Sequence, residues 1–304
     1  MPYLKDNKQE LCPYTCEPLE LQNVNREHIL PYAIGAPSNF TLMACANENS
    51  KYNKLIDAPF SNDPLIRLIS TMKGVRSRSG PVSFETMGKD PTSGEDVILR
   101  ITSNDLNFRF KKPTERTGNN SYLVRGFGDS VHLQAQEIEK SFKRKNPSKL
   151  VKAITGPVTS YPCPELQFNF DLNARIYGLE MAKIAYLLTV DTFGDEAILG
   201  KSGQQFRSSI NNMDIKTMMQ QGAKIGTFNV YGMNAVEKSS YNNHYHWLLC
   251  QQYSASELIT VIILFGIFTK YFVTSAEGLY IPKDFDRQIV IDPVTRTIDG
   301  DVLL

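Results

Sequence analysis

Glu27-His28-Ile29-Leu30-Pro31 sets a carboxylate beside an imidazole in a chain with only four histidines. Cleaving a phosphodiester requires an activated water, a cation to offset charge gathering on the phosphate, and in-line geometry. Neutral imidazole, which titrates near pH ~6.5, is a usable general base close to neutrality. Mg²⁺ prefers oxygen ligands and keeps several waters, so one carboxylate and one amide oxygen are a sufficient protein contribution. Glu27 and Asn49, the latter eighteen residues beyond Pro31, supply those two oxygens. In extended backbone Glu27 and His28 point to opposite sides, so a bend must bring both to one cleft. A Cys-containing turn, Leu11-Cys12-Pro13-Tyr14-Thr15-Cys16, precedes the pair. A second Cys/Asn turn, Cys45-Ala46-Asn47-Glu48-Asn49-Ser50-Lys51, follows it.

The elements that must position these residues are short. Residues 1–60 are punctuated by Pro13, Pro18, Pro31, Pro37 and Pro59. Leu19 to Val24 reads as a strand or turn running into the Glu-His pair. A helix is expected from about Asn39 or Asn49, with Leu42, Met43 and Cys45 as its apolar face. Two short strands and one helix could not build much of a core alone. A boundary near residue 60 follows, separating a module at 1–60 from a domain at 61–304.

Beyond that cut, residues 81–87, 96–102 and 107–110 concentrate β-formers between glycines and predict strands. Val131 to Asn146 and Ala174 to Thr189 predict helices; the second carries Ile176, Leu179, Ala182, Tyr186 and Leu187 on one side, with Gly194 just past its end. Gln204 to Gln221 suggests another. His244 to Cys250 alternates like a strand, and Leu258 to Thr274 predicts one or two buried strands around Gly266.

Bulk properties narrow the class. At 304 residues the length suits about two domains. A hydrophobic fraction of 41% with 21% charged residues argues for a folded chain. Net charge is +1, so any phosphate-binding surface must come from local clusters. Five cysteines, odd in number and unevenly spread, are no secreted disulfide framework. The N-terminus lacks an apolar signal core, and the longest apolar run, Leu258 to Phe268, falls well short of the roughly 20 residues that span a bilayer. A cytoplasmic protein without a membrane partner is expected.

Cys12…Cys16, Glu27-His28-Ile-Leu-Pro31, Gly35, Asn39, Cys45-x-x-Glu-Asn49 and Ile56-Asp57 together resemble the HNH endonucleases, in the branch built on Glu-His-Ile-x-Pro. The resemblance covers about residues 11–60, with a vaguer similarity at Arg76-Ser-Arg-Ser-Gly80. It implies an α+β protein: a small ββα-metal module followed by a larger mixed α/β domain with an antiparallel-rich sheet. It implies hydrolysis of nucleic acid, DNA in preference to RNA, leaving 3′-hydroxyl and 5′-phosphate ends, with Mg²⁺ or Mn²⁺ as cofactor. His28 would be the general base, Glu27 and Asn49 the metal ligands, and Asn39 a brace for the loop that orients the histidine. Asn47 competes with Asn49 for the metal, and the Cys45 register favours Asn49.

A structural Zn²⁺ would fall to Cys12, Cys16, Cys45 and Glu48. Here the chain departs from the family: Cys12-x-x-x-Cys16 is one residue wider than Cys-x-x-Cys, and Glu48 stands where a fourth cysteine would. The same cysteines also suit small buried hydrophobes. Arg76, Arg78 and Lys51 are candidate phosphate-binding cations; the clusters at 109–116 and 143–152 suit phosphate contact or a solvated face, and a solvated face is the better reading of 143–152. His244, His246 and Cys250 share a strand face, but six residues of strand span roughly 20 Å, so core or sheet-surface histidines are expected rather than a second metal site. The role of the large remainder is left between recognition, oligomerisation as a homodimer, and control by a regulatory ligand or partner protein. Restriction or antiviral defence is the setting that would need such a domain. The competing class is a non-catalytic nucleic-acid- or ligand-binding protein on a degenerate HNH fold.

Overall fold

The computed structural model describes residues 9–20, 22–77, 80–81, 83–91, 93–118, 122–128, 130–145, 167–227, 245–283 and 285–303. The chain is α+β with antiparallel sheets, and it divides into two compact units, Met1–Val82 with Leu172–Leu304, and Ser83–Asp171. The expected cut at residue 60 falls inside the first unit.

That unit begins with a strap, closed by a bridge between Leu11 and Pro18. Strand β1 (Val24–His28) pairs antiparallel with β2 (Thr41–Cys45), Glu27 opposite Leu42 and His28 opposite Thr41. Leu42 and Ala44 point inward while Met43 is exposed, the period-two pattern of a half-buried strand. These residues therefore belong to a strand, not to the apolar face of a helix as their composition suggested. A run of five with four apolar positions fits either period, and the ladder to β1 decides it. The helix starts after it: α1 (Ala46–Tyr52) continues through a π-helical turn (Asn53–Asp57) into α2 (Ala58–Ser61). Asp63 caps α3 (Pro64–Met72), its Oδ1 accepting the Leu65 N–H at 2.9 Å. The short pair β3 (Arg76–Ser77) and β4 (Gly80–Pro81) ends this stretch.

The second unit is built on a meander of β5 (Phe84–Lys89), β6 (Asp96–Ile101) and β7 (Leu106–Phe110), followed by the hairpin β8 (Thr114–Arg116) and β9 (Tyr122–Val124) and by helix α4 (Ser130–Lys145). Phe84, Val97, Leu99 and Ile101 are buried in it, and Phe108 and Phe110 pack with Phe127. Three strands and the helix match the sequence pattern closely.

From Leu172 the chain belongs again to the first unit. Asn173 caps α5 (Ala174–Phe193), accepting the Ile176 N–H at 3.2 Å. The pattern predicted one apolar side; instead α5 is buried nearly all round from Gly178 to Phe193. It runs between the sheet on one side and the π turn, α2 and α7 on others. Then come α6 (Asp195–Leu199), α7 (Lys201–Asn212) and α8 (Lys216–Gln220). Strands β10 (Lys224–Gly226), β11 (His246–Ser254), β12 (Glu257–Leu264), β13 (Phe268–Ser275), β14 (Asp286–Asp292) and β15 (Thr297–Leu303) form an antiparallel sheet in the order β10-β13-β12-β11-β14-β15. Phe265 and Gly266 both take positive φ, 55° and 68°, in the tight β12–β13 turn. Among the described residues no helix is long and apolar enough to cross a membrane.

Candidate functional site

The β1–β2 hairpin and α1 bring Glu27, His28 and Asn49 into one neighbourhood, with the strand alternation separating the first two. Glu27 faces inward and is 1% exposed. Its carboxylate accepts the Tyr14 hydroxyl at 3.0 Å and contacts the Lys183 ammonium of α5. Lys183, equally buried, also pairs with Asp57 at 2.6 Å. Burial alone would drive Lys183 toward the neutral amine, but its acidic neighbours, Asp57 first and then Glu27, outweigh it and hold the lysine charged. Burial pushes Glu27 upward, with Lys183 opposing. Glu180, without solvent exposure, has neither carboxyl oxygen in a hydrogen bond; burial first, and then the Asp57 carboxylate, raise it well above the usual carboxylate range.

His28 points the other way. It closes β1, is partly exposed, and lies 5.7 Å from the Tyr32 ring, centre to centre. Asn49 projects from α1 back onto β1: its Nδ2 donates to Asn25 Oδ1 at 2.7 Å and to the Arg26 carbonyl at 3.0 Å. Asn47 is exposed, so Asn49 is the amide that meets the strand. Asn39 is exposed and leads into β2; no helix starts there for it to cap. It lies beside the bond from the Ile29 N–H to the Phe40 carbonyl, 3.2 Å, which closes the loop.

This arrangement does not fit Glu27 and Asn49 as a shared pair of cation ligands. Glu27 already has a cation against its Oε1, so a hydrated divalent ion would compete with Lys183 for the carboxylate. The zinc set does not assemble either. Cys45 N–H donates to Cys12 Sγ at 3.3 Å, but Glu48 turns to Lys51 at 2.9 Å. Among the described residues no group of three or more His, Cys, Asp or Glu is arranged to hold a metal. Burial raises the Cys12 thiol, yet N–H groups of Cys45, Thr15 and Tyr14 aimed at the sulfur bring it below its ordinary value.

Of the phosphate candidates, Lys51 is engaged with Glu48, Arg76 is exposed, and Arg78 lies outside the described residues. Lys111 pairs with Asp96 at 3.0 Å and Arg109 with Glu85 at 3.4 Å, which makes them part of a solvated, charge-paired face. His246 is a fully buried core histidine, whereas His244 lies outside the described residues.

Lys183 and Glu180 were missed by sequence reasoning. Their signal was a Glu-Met-Ala-Lys run inside an otherwise apolar helix, where two charges three residues apart share a face and need partners. No family model matches this sequence, and neither a curated protein nor a solved structure matches it.

Proposed function

We propose that the chain is an HNH-type endonuclease that hydrolyses phosphodiester bonds, of DNA in preference to RNA, with His28 as general base. One juxtaposition carries this reading: a partly exposed histidine closes the first strand of a β-hairpin, and the helix that follows returns Asn49 to that same strand. A base for water and an amide oxygen donor thus share one small scaffold. Mg²⁺ or Mn²⁺ belongs to the proposal as the cofactor that the resemblance implies, and Glu27 is not assigned to it while Lys183 holds the carboxylate. The remainder of the chain would supply recognition or control, as a restriction or antiviral defence nuclease requires.

The test is plasmid nicking with Mg²⁺, Mn²⁺ and EDTA. His28→Ala should lower the rate on the order of 100-fold or more, the usual weight of a general base. A variant that nicks at the wild-type rate overturns the assignment. The internal ion pair of Glu27 favours one second reading, a non-catalytic nucleic-acid-binding protein on this scaffold; wild-type protein that retards DNA in a gel but never nicks it would establish that alternative.

A further inference from the structure

His28 is followed by a loop, Pro31 to Pro37, that contains a single 3₁₀ turn, Tyr32–Ile34. One turn of 3₁₀ helix has little rigidity of its own. Three residues more than two hundred positions away, one on a strand and two in a turn, hold it. The His246 ring of β11 bonds the Ile34 carbonyl at 2.9 Å. Pro293, in the β14–β15 turn, lies so close to Gly35 that a Cβ there would sit 2.5 Å from its atoms. Arg296, at the end of the same turn, donates from Nη1 to the carbonyls of Tyr32 at 2.6 Å and Ala36 at 3.2 Å, and from Nη2 to the carbonyl of Arg76. Its guanidinium also lies over the Tyr32 ring, 3.7 Å from the centroid. The imidazole of His28 lies 5.7 Å from the same ring, centre to centre.

We propose that Arg296 is the positioning residue of His28, acting through Tyr32. The planar fork of an arginine spans several carbonyls and stacks on an aromatic face at once, which a lysine cannot do. The ring it fixes lies against the imidazole of His28. Its effect on rate rests on the nuclease reading; its effect on the histidine does not.

The experiment records the ring ¹H–¹³C signal of His28, assigned by its loss in His28→Ala, in wild type, Arg296→Ala and Arg296→Lys. DNA nicking is measured on the same samples. Arg296→Ala should move or split the His28 signal and lower kcat about 10- to 100-fold with KM little changed, the cost of a misplaced catalytic group. Arg296→Lys, which keeps a charge near the ring but not the three-carbonyl span, should move the signal part of the way. A His28 signal that superimposes on wild type in Arg296→Ala overturns the proposal, whatever happens to the rate. Should Arg296→Ala fail to fold, a wild-type signal in Arg296→Lys overturns it equally. A moved signal in a protein whose wild type never nicks leaves the positioning intact and removes the nuclease reading instead.

Discussion

Glu180 and Lys183 are neighbours on α5, both sealed from water, and both are raised above their ordinary pKa for different reasons. Lysine holds its proton because acids surround it. Glu180 is raised because the low-dielectric interior, and then Asp57, penalise a further anion. A carboxyl raised on folding contributes its full stability below the ordinary carboxylate pKa. That contribution drains away as pH climbs and the unfolded chain ionises first. Glu180→Gln should therefore gain on the order of 1 kcal/mol over wild type at pH 8, with little difference near pH 4.5. Urea midpoints at the two pH values decide it. Glu27 illustrates what residue types alone leave open. A carboxylate beside a histidine reads as a ligand, but whether it meets a cation from solvent or one from its own protein depends on α5, 156 residues further along the chain at Lys183, with which it pairs. Nothing local to Glu27 encodes that partner.

Elements were legible in proportion to how strongly their period was imposed. The β5–β7 meander, α4 and the start of α5 follow from alternation or from i, i+3, i+4 spacing; β12 and β13 turn about Gly266, where positive φ suits glycine. Strand β2 was obscured because five residues cannot separate the two periods. β14 and β15 carried a readable signal, Ile289 and Ile291 alternating before an Asp-Pro turn, and went unread. Their importance comes from what they touch. β11 shows the same dependence on distant partners. His246 Nδ1 accepts the N–H of Phe265 at 3.1 Å, so Nε2 carries the proton donated to Ile34. Burial pulls this imidazole down to about 4 from 6.5. A base depressed on folding stabilises above its unfolded pKa and ceases to do so as pH falls through its folded one. Wild type should lose on the order of 3 kcal/mol from this residue between pH 6.5 and 4. Chemical denaturation across that range should show a shallower decline for His246→Asn, which has nothing there to titrate.

On the scale of the whole molecule, the first 60 residues are a local motif in sequence and a dependent part in space. The Tyr14 and Tyr52 rings lie 4.6 Å apart, centre to centre, tilted by 42°, and Tyr52 donates to Asn211 at 2.5 Å; the Tyr186 hydroxyl bonds the Pro13 carbonyl. Ile29, Leu30 and Ile34 belong to the same buried cluster as α5 and the sheet. A fragment of residues 1–60 should accordingly give a circular-dichroism spectrum without cooperative melting, since so short a piece buries too little of its surface. A cooperative transition in that fragment would show that the hairpin and α1 are self-sufficient. The motif spacing marked where a module lay but carried no trace of this reliance, because the stabilising contacts come from segments with no counterpart in the motif.

The reach of Arg296 back to Tyr32 also bears on the order in which the protein is made. During translation the histidine emerges well before Arg296, which lies more than two hundred positions further along. A nascent polypeptide released between residues 49 and 296 carries every group proposed for catalysis but lacks the arginine proposed to align the histidine. On the nuclease reading, such a product should act on nucleic acid more slowly than a chain that includes the arginine.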